Sequence, residues 1–198
     1  SLNQFLLSLY SRYKRHEPIV SYGGTFLAAW MVANKKENPL YDKFDDLLKI
    51  LKKYDVVLSL ADAFRPGSIH DSLDQLQTAE LAIIGDLVKR ARQAGVQVQV
   101  KGPGHTPLNE VETTIKLMKK LTDNSPYFIF GPVVTDIAPG YDHITSAIGG
   151  AAAVAAGADF ICYVTPAEHV TFPTVDHVTA GVKAAKKAAW YGDIYRLR

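Results

Sequence analysis

A chain of 198 residues, 47% hydrophobic and 21% charged, has the proportions of an ordinary globular domain, which excludes disordered, fibrous and collagen-like classes. Twenty-two Lys and Arg against 20 Asp and Glu leave a formal net charge of +2, and the basic residues are scattered rather than gathered in one run, so nucleic-acid binding is not indicated. A single cysteine, Cys162, excludes an internal disulfide framework and, with no signal-like start, fits a reducing, cytoplasmic setting.

In chain order, residues 2–16 read as an opening helix, with Arg12, Lys14 and Arg15 on its solvated face. Residues 18–21 read as a short strand ending at Gly23 and Gly24, with a helix over about 25–34 behind it. Residues 39–53 form a further helix whose lysines and aspartates face mostly outward. A strand at 55–60 precedes a long helix at 71–94, in which Leu76, Leu81, Ile84, Leu87 and Val88 recur at helical spacing. The next pair is a strand at 96–100 and a helix at 108–122, with Pro107 suited to its first turn. A strand at 127–130 leads through a long loop to an apolar helix from about 143; the run 144–158 is too short and too rich in Ala and Gly for a membrane span. The last unit is a strand at 160–164 and a helix at 174–191, opened by Pro173 or Thr174.

This alternation predicts an α/β fold in one domain, residues 1–198, with about five parallel βα units behind an N-terminal helix. The length falls short of the roughly 250 residues of a full eight-stranded βα barrel, so a complete barrel of that kind is not expected. Gly, Pro, His and Asp gather just after each strand, where parallel βα folds build their ligand sites.

Each strand-end motif has a functional and a plain reading. Ser21, Tyr22, Gly23 and Gly24 either cradle a phosphate at a helix N-terminus or make a tight turn. Asp62 and Arg65 either grip a polyol or phosphate or form a structural ion pair. Lys101 to His105 make a Gly-Pro loop, and His105 with His169 could share a divalent metal such as zinc, or each be a satisfied loop residue. The loop 131–143 carries Asp136, Tyr141, Asp142 and His143, of which His143 could be a helix-start residue capped by Asp142.

The ordered series Ser-x-Gly-Gly, Asp-x-x-Arg-Pro-Gly-Ser, Gly-Pro-Gly-His, Gly-Pro-x-Val-Thr-Asp-Ile-Ala-Pro-Gly-Tyr-Asp-His-Ile-Thr and Cys-Tyr-Val-Thr-Pro-x-Glu-His resembles the phosphomethylpyrimidine synthase (ThiC) family of thiamine biosynthesis over residues 17–190. The resemblance implies a TIM-type (β/α) barrel, partial in this chain, in which S-adenosylmethionine, cleaved at a [4Fe-4S] cluster, yields a radical that rearranges aminoimidazole ribotide into hydroxymethylpyrimidine phosphate. It implies a lyase with His105 and His169 as ligands of zinc or another divalent metal, Ser21, Gly23 and Gly24 at the substrate phosphate, and Asp62 and Arg65 at substrate. Iron–sulfur clusters take three or four thiolates, so this chain alone cannot bind one.

The family pattern is broken at the site itself. Tyr22 stands where the family has arginine, Lys101 where it has glutamate, Phe128 where it has tyrosine, and Ala61 and Ala63 where it has glycines. No catalytic residue is assigned, because Lys101 replaces the family's candidate proton acceptor. Alternatives to the enzyme are a catalytically silent paralogue binding a phosphorylated small molecule, with Lys101 as a new countercharge, or a structural subunit completing another barrel. The family's front strands are missing, so the expected partners are a second copy of the chain or a missing segment, with no nucleic acid and no membrane.

Overall fold

Four short, largely apolar runs pair in parallel and in sequence order: β1 (Leu58–Ala61), β2 (Val98–Lys101), β3 (Tyr127–Phe130) and β4 (Phe160–Cys162). The computed structural model describes all 198 residues. Leu60 sits opposite Val100, Val100 opposite Tyr127, and Phe130 opposite Cys162; β1 and β2 end level, β3 and β4 end level two residues further on, and all four loops rise on one side. Around the sheet lie α1 (Gln4–Arg12), α2 (Tyr22–Asn34), α3 (Pro39–Asp42), α4 (Phe44–Lys53), α5 (Gln75–Gln93), α6 (Leu108–Leu121), α7 (Asp142–Ala156) and α8 (Val175–Arg196). This is a partial (β/α) barrel-like fold with four strands.

The fifth predicted strand is absent. Residues 18–20 are irregular, and Ser21 caps α2, its hydroxyl accepting from the Gly24 N–H at 3.3 Å. An isolated extended run becomes a strand only with a ladder partner, and β1 pairs with β2 alone. The Ile19 carbonyl is taken up by the Thr25 hydroxyl at 2.8 Å instead.

The main core fills the space between the sheet and the inner faces of α4 to α7, with Phe44, Leu48, Ile84, Val88, Val100, Ile115, Met118 and Ile129 buried together. A second cluster, Leu2, Leu6, Ala28, Met31, Ala63, Phe64 and Leu76, seats α1 and α2 on the loop after β1. The predicted opening helix ends early, at Arg12, and Arg15 is not on a solvated face. Its side chain is 1% exposed, paired with Asp74 at 2.8 Å, and donates to the Phe64 carbonyl at 2.7 Å. Neighbouring Asp71 accepts the N–H groups of His16 and Glu17 at 3.0 and 2.8 Å, so the turn before α2 is held by charge-assisted bonds.

The long helices end as their sequences dictate: Thr174 and His177 close a capping box on α8, and Gly157, with φ at 119°, terminates α7. Pro107 is the N-cap of α6 rather than a first-turn residue. Helix α7 lies against the loop after β3 so closely that a methyl group on Gly149 would stand 2.1 Å from the Pro132 carbonyl oxygen. Gly149→Ala should therefore cost about 1–3 kcal/mol through overpacking. Gly23→Ala, with nothing within 4 Å of the new atom, should be neutral or stabilising by roughly 0.5–1 kcal/mol. Thermal melts of the two variants check both signs.

Candidate functional site

The parallel pairing continues past the strand ends and fixes the loops that carry the predicted site. The His105 N–H donates to the Pro66 carbonyl at 3.0 Å, and the Thr106 N–H to the Val133 carbonyl at 3.0 Å, joining the loops after β1, β2 and β3. The Gly-Pro loop owes its composition to this contact: a methyl group on Gly104 would stand 2.3 Å from the Pro66 oxygen. Only glycine allows the backbones to approach so nearly.

The two predicted metal histidines are brought together. His105 Nε2 and His169 Nε2 face each other at 3.3 Å, with the rings nearly edge-on. Each ring is backed by a carboxylate on its other nitrogen: Asp136 at 2.7 Å from His105 Nδ1 and Asp142 at 3.3 Å from His169 Nδ1. With Nδ1–H donating to the carboxylate, a neutral ring turns a lone pair outward at Nε2, and two such lone pairs then meet. Asp136 is itself fixed by the Ser68 hydroxyl at 2.9 Å and the Ile69 N–H at 3.0 Å. Partial burial works against its charge, but the hydrogen bonds from His105, Ile69 and Ser68 win and hold its pKa below the usual carboxylate range. His169 has φ at 62°, a left-handed conformation uncommon outside glycine, which its surroundings impose.

Asp142 does not cap α7. Tyr141 takes that position without a side-chain bond, and Asp142, 4% exposed, lies in the first turn, where the helix dipole favours a carboxylate. His143 follows it and takes no part in the imidazole pair. A polar cavity of about 370 Å³ opens over the pair, lined by His16, Glu17, Ser68, Thr135, Asp136 and Asp142 among others. No group of three or more His, Cys, Asp and Glu side chains converges as a metal site.

The other predicted residues divide into two groups. Ser21, Gly23, Gly24 and Asp62 line a second, mostly apolar cavity of about 250 Å³ beside β1. They meet because α2 presses its N-terminus against the strand end; a methyl group on Gly24 would be 3.0 Å from Ala63 Cβ. Arg65 and Lys101 stay outside the lining, each cation set over an aromatic face: Arg65 at 5.9 Å from the Phe130 ring and Lys101 at 5.5 Å from the Phe128 ring. Tyr22, 89% exposed, belongs to neither group. Cys162 is half-buried, and burial pushes its thiol up, so it is not an activated nucleophile.

Sequence reasoning missed Glu80, which is 1% exposed and accepts the N–H groups of Ala63 and Phe64 at 2.8 and 2.7 Å, clamping the loop that carries Asp62. The signal was available: position 80 lies four residues from both Leu76 and Ile84, inside the apolar stripe of its helix. Tyr127, fully buried on β3, was also passed over.

A family model described as the radical SAM ThiC family matches residues 1–198. The chain is 63% identical over 180 residues, 91% of its length and 42% of the relative's, to 5-hydroxybenzimidazole synthase BzaA of Eubacterium limosum. It is 61% identical over 176 residues, 89% of its length and 41% of the relative's, to a phosphomethylpyrimidine synthase of Thermoanaerobacter sp. strain X514. Against 5-hydroxybenzimidazole synthase BzaB of Moorella thermoacetica it is 59% identical over 196 residues, 99% of its length and 46% of the relative's. The chain thus spans less than half the length of these curated relatives.

One wall of the polar cavity hangs on a single guanidinium. Arg15→Ala takes the counter-charge from two buried carboxylates, Asp71 and Asp74, and should cost about 3–5 kcal/mol in a denaturant melt.

Proposed function

The chain belongs to the radical SAM ThiC family, and from that premise we propose that residues 1–198 are the ligand-holding part of a phosphomethylpyrimidine synthase of thiamine biosynthesis. The ribotide phosphate is assigned to the α2 N-terminus, where Ser21 and the unpaired N–H groups around Gly23 meet the helix dipole. Asp62 and Arg65 are assigned to the remainder of the ligand, and His105 and His169 to a divalent metal, with zinc the natural choice for an imidazole pair.

The imidazole pair carries this reading. Two nitrogens bound to a tetrahedral ion at about 2.0–2.1 Å stand roughly 3.3 Å apart, which is the separation found. The carboxylates behind both rings fix the required tautomers. A bound divalent ion would supply Lewis acidity and a charge to anchor an anionic group at its open positions. The residues do not fit an iron–sulfur cluster: one half-buried thiol cannot furnish its ligands, so thiolates for cleaving S-adenosylmethionine must come from outside these residues. No helix is long and apolar enough to cross a membrane. The proposal places the protein in the cytoplasm, with a second copy or a further segment against its exposed sheet end.

One observation favours a second reading, benzimidazole formation as in the relatives named 5-hydroxybenzimidazole synthase. A Lys101 ammonium resting on Phe128 puts a cation and an apolar ring where the thiamine family pattern has glutamate and tyrosine. That exchange changes which charge the bound ring system meets.

Zinc titration with a chelator competitor, read by thermal shift, tests the shared part of both readings. Zinc at about 100 times its Kd should add roughly 2.7 kcal/mol of stability. His105→Ala should abolish the shift, and Asp136→Asn should weaken zinc about 10–100-fold. A wild-type melt that ignores zinc, or a His105→Ala response equal to it, overturns the metal assignment. The same assay with aminoimidazole ribotide separates the readings: Lys101→Glu with Tyr22→Arg should tighten ribotide binding if the pocket descends from thiamine chemistry, and an unchanged affinity favours the second reading.

A further inference from the structure

Among the charged groups at the strand ends, Asp62 is the one whose neighbours do not account for a charge. Its side chain is 3% exposed, and its Oδ1 has no hydrogen-bond partner. On the Oδ2 side the carboxyl is closed in by Gly102, where a methyl group would come within 2.3 Å of it and 3.2 Å of Tyr127 Oη. Yet the residue lines the cavity beside β1, together with Ser21, Gly23 and Gly24.

Glu80 reaches from α5 to the residues that follow Asp62, and the donors converge on it instead. The Ala63 and Phe64 N–H groups and the Ser1 hydroxyl all bond its carboxylate. The nearby cations are held elsewhere: Arg65 over Phe130 and Lys101 over Phe128, neither in an ion pair with Asp62. Two carboxyls buried at one loop, with the donors committed to one of them, cannot both stay ionised at low cost.

We propose that Asp62 and Glu80 hold one proton between them at neutral pH, with Glu80 the anion and Asp62 the acid, so that the cavity offers its occupant a hydrogen-bond donor. The occupant this suits carries an acceptor there, an unprotonated ring nitrogen or a carbonyl oxygen, rather than a cation. The occupant rests on the ligand reading above; the proton does not. Burial first, and then the charge of Glu80, push Asp62 up to about 7, while Arg65 and Lys101 pull the other way. Because the folded chain binds this proton more tightly than the unfolded one, its stabilising effect is present on the acid side and lost as pH rises through about 7.

A pH titration of the ¹³C-labelled aspartate carboxyls by NMR decides the matter on the free chain. One resonance, missing from Asp62→Asn, should titrate near the value above, and in Glu80→Gln its midpoint should fall by about one pH unit or more. Asp62→Asn mimics the neutral acid, so it should fold and should lack the loss of melting temperature that the wild type shows between about pH 5 and about pH 8. An Asp62 midpoint in the ordinary range near about 4 overturns the proposal. So does an unmoved midpoint in Glu80→Gln; if that variant does not fold, equal pH dependence of the wild-type and Asp62→Asn melts does the same. Aminoimidazole ribotide is the probe for the donor: its affinity should fall as Asp62 ionises, and an affinity flat across that range overturns the donor role. Absence of ribotide binding at any pH removes the ligand reading and leaves the carboxyl titration to judge the proton.

Discussion

Two backbone hydrogen bonds beyond the sheet, His105 to Pro66 and Thr106 to Val133, set the conditions for everything at the strand ends. They extend parallel pairing into loops that have no ladder of their own, and they demand glycine at position 104. With the loops after β1, β2 and β3 at fixed spacing, the β2 loop can offer an imidazole at a defined height. The carboxylate behind it, Asp136, then bonds Ser68 and Ile69 on the β1 loop, so the same three loops are joined a second time through side chains.

The electrostatics of the site follow from how charge is distributed over this frame. Carboxylates that receive donors are Glu80, Asp136 and Asp71, and each fastens a loop or turn by accepting backbone N–H groups. Cations at the centre, Arg65 and Lys101, rest on aromatic rings and leave their hydrogen-bonding capacity uncommitted. The centre thus combines an orphaned acid with two cations free to turn towards a ligand. An arginine or lysine already committed to a buried ion pair, as Arg15 is, has no such freedom.

Much of this was legible in the sequence. Strands β3 and β4 were read to within two residues because aromatic and β-branched runs bounded by Pro and Gly leave little choice. The histidines at 105 and 169 were chosen for their position after strands, and the fold brings them into contact. Residues 18–21 were misread because an extended run declares itself a strand only through a partner, and that information is not local. Arg15 was placed on a solvated face because its counter-ions, Asp71 and Asp74, lie beyond the next strand in sequence. The separation of Ser21, Gly23 and Asp62 from Lys101 and Phe128 was equally out of reach, since it depends on which face of each strand end α2 covers.

The sheet is laid down in sequence order, and the imidazole pair joins the loops after β2 and β4, reaching across β3. Neither of those strands touches the other, so the two rings can meet only while β4, with α8 behind it, is docked. Any ion or ligand that engages both rings therefore binds the docked arrangement alone, and its binding free energy adds to the docking equilibrium of the last βα unit. In thermodynamic terms the occupant acts as a cross-brace over the sheet, and affinity and terminal-unit stability become two readings of a single linked equilibrium.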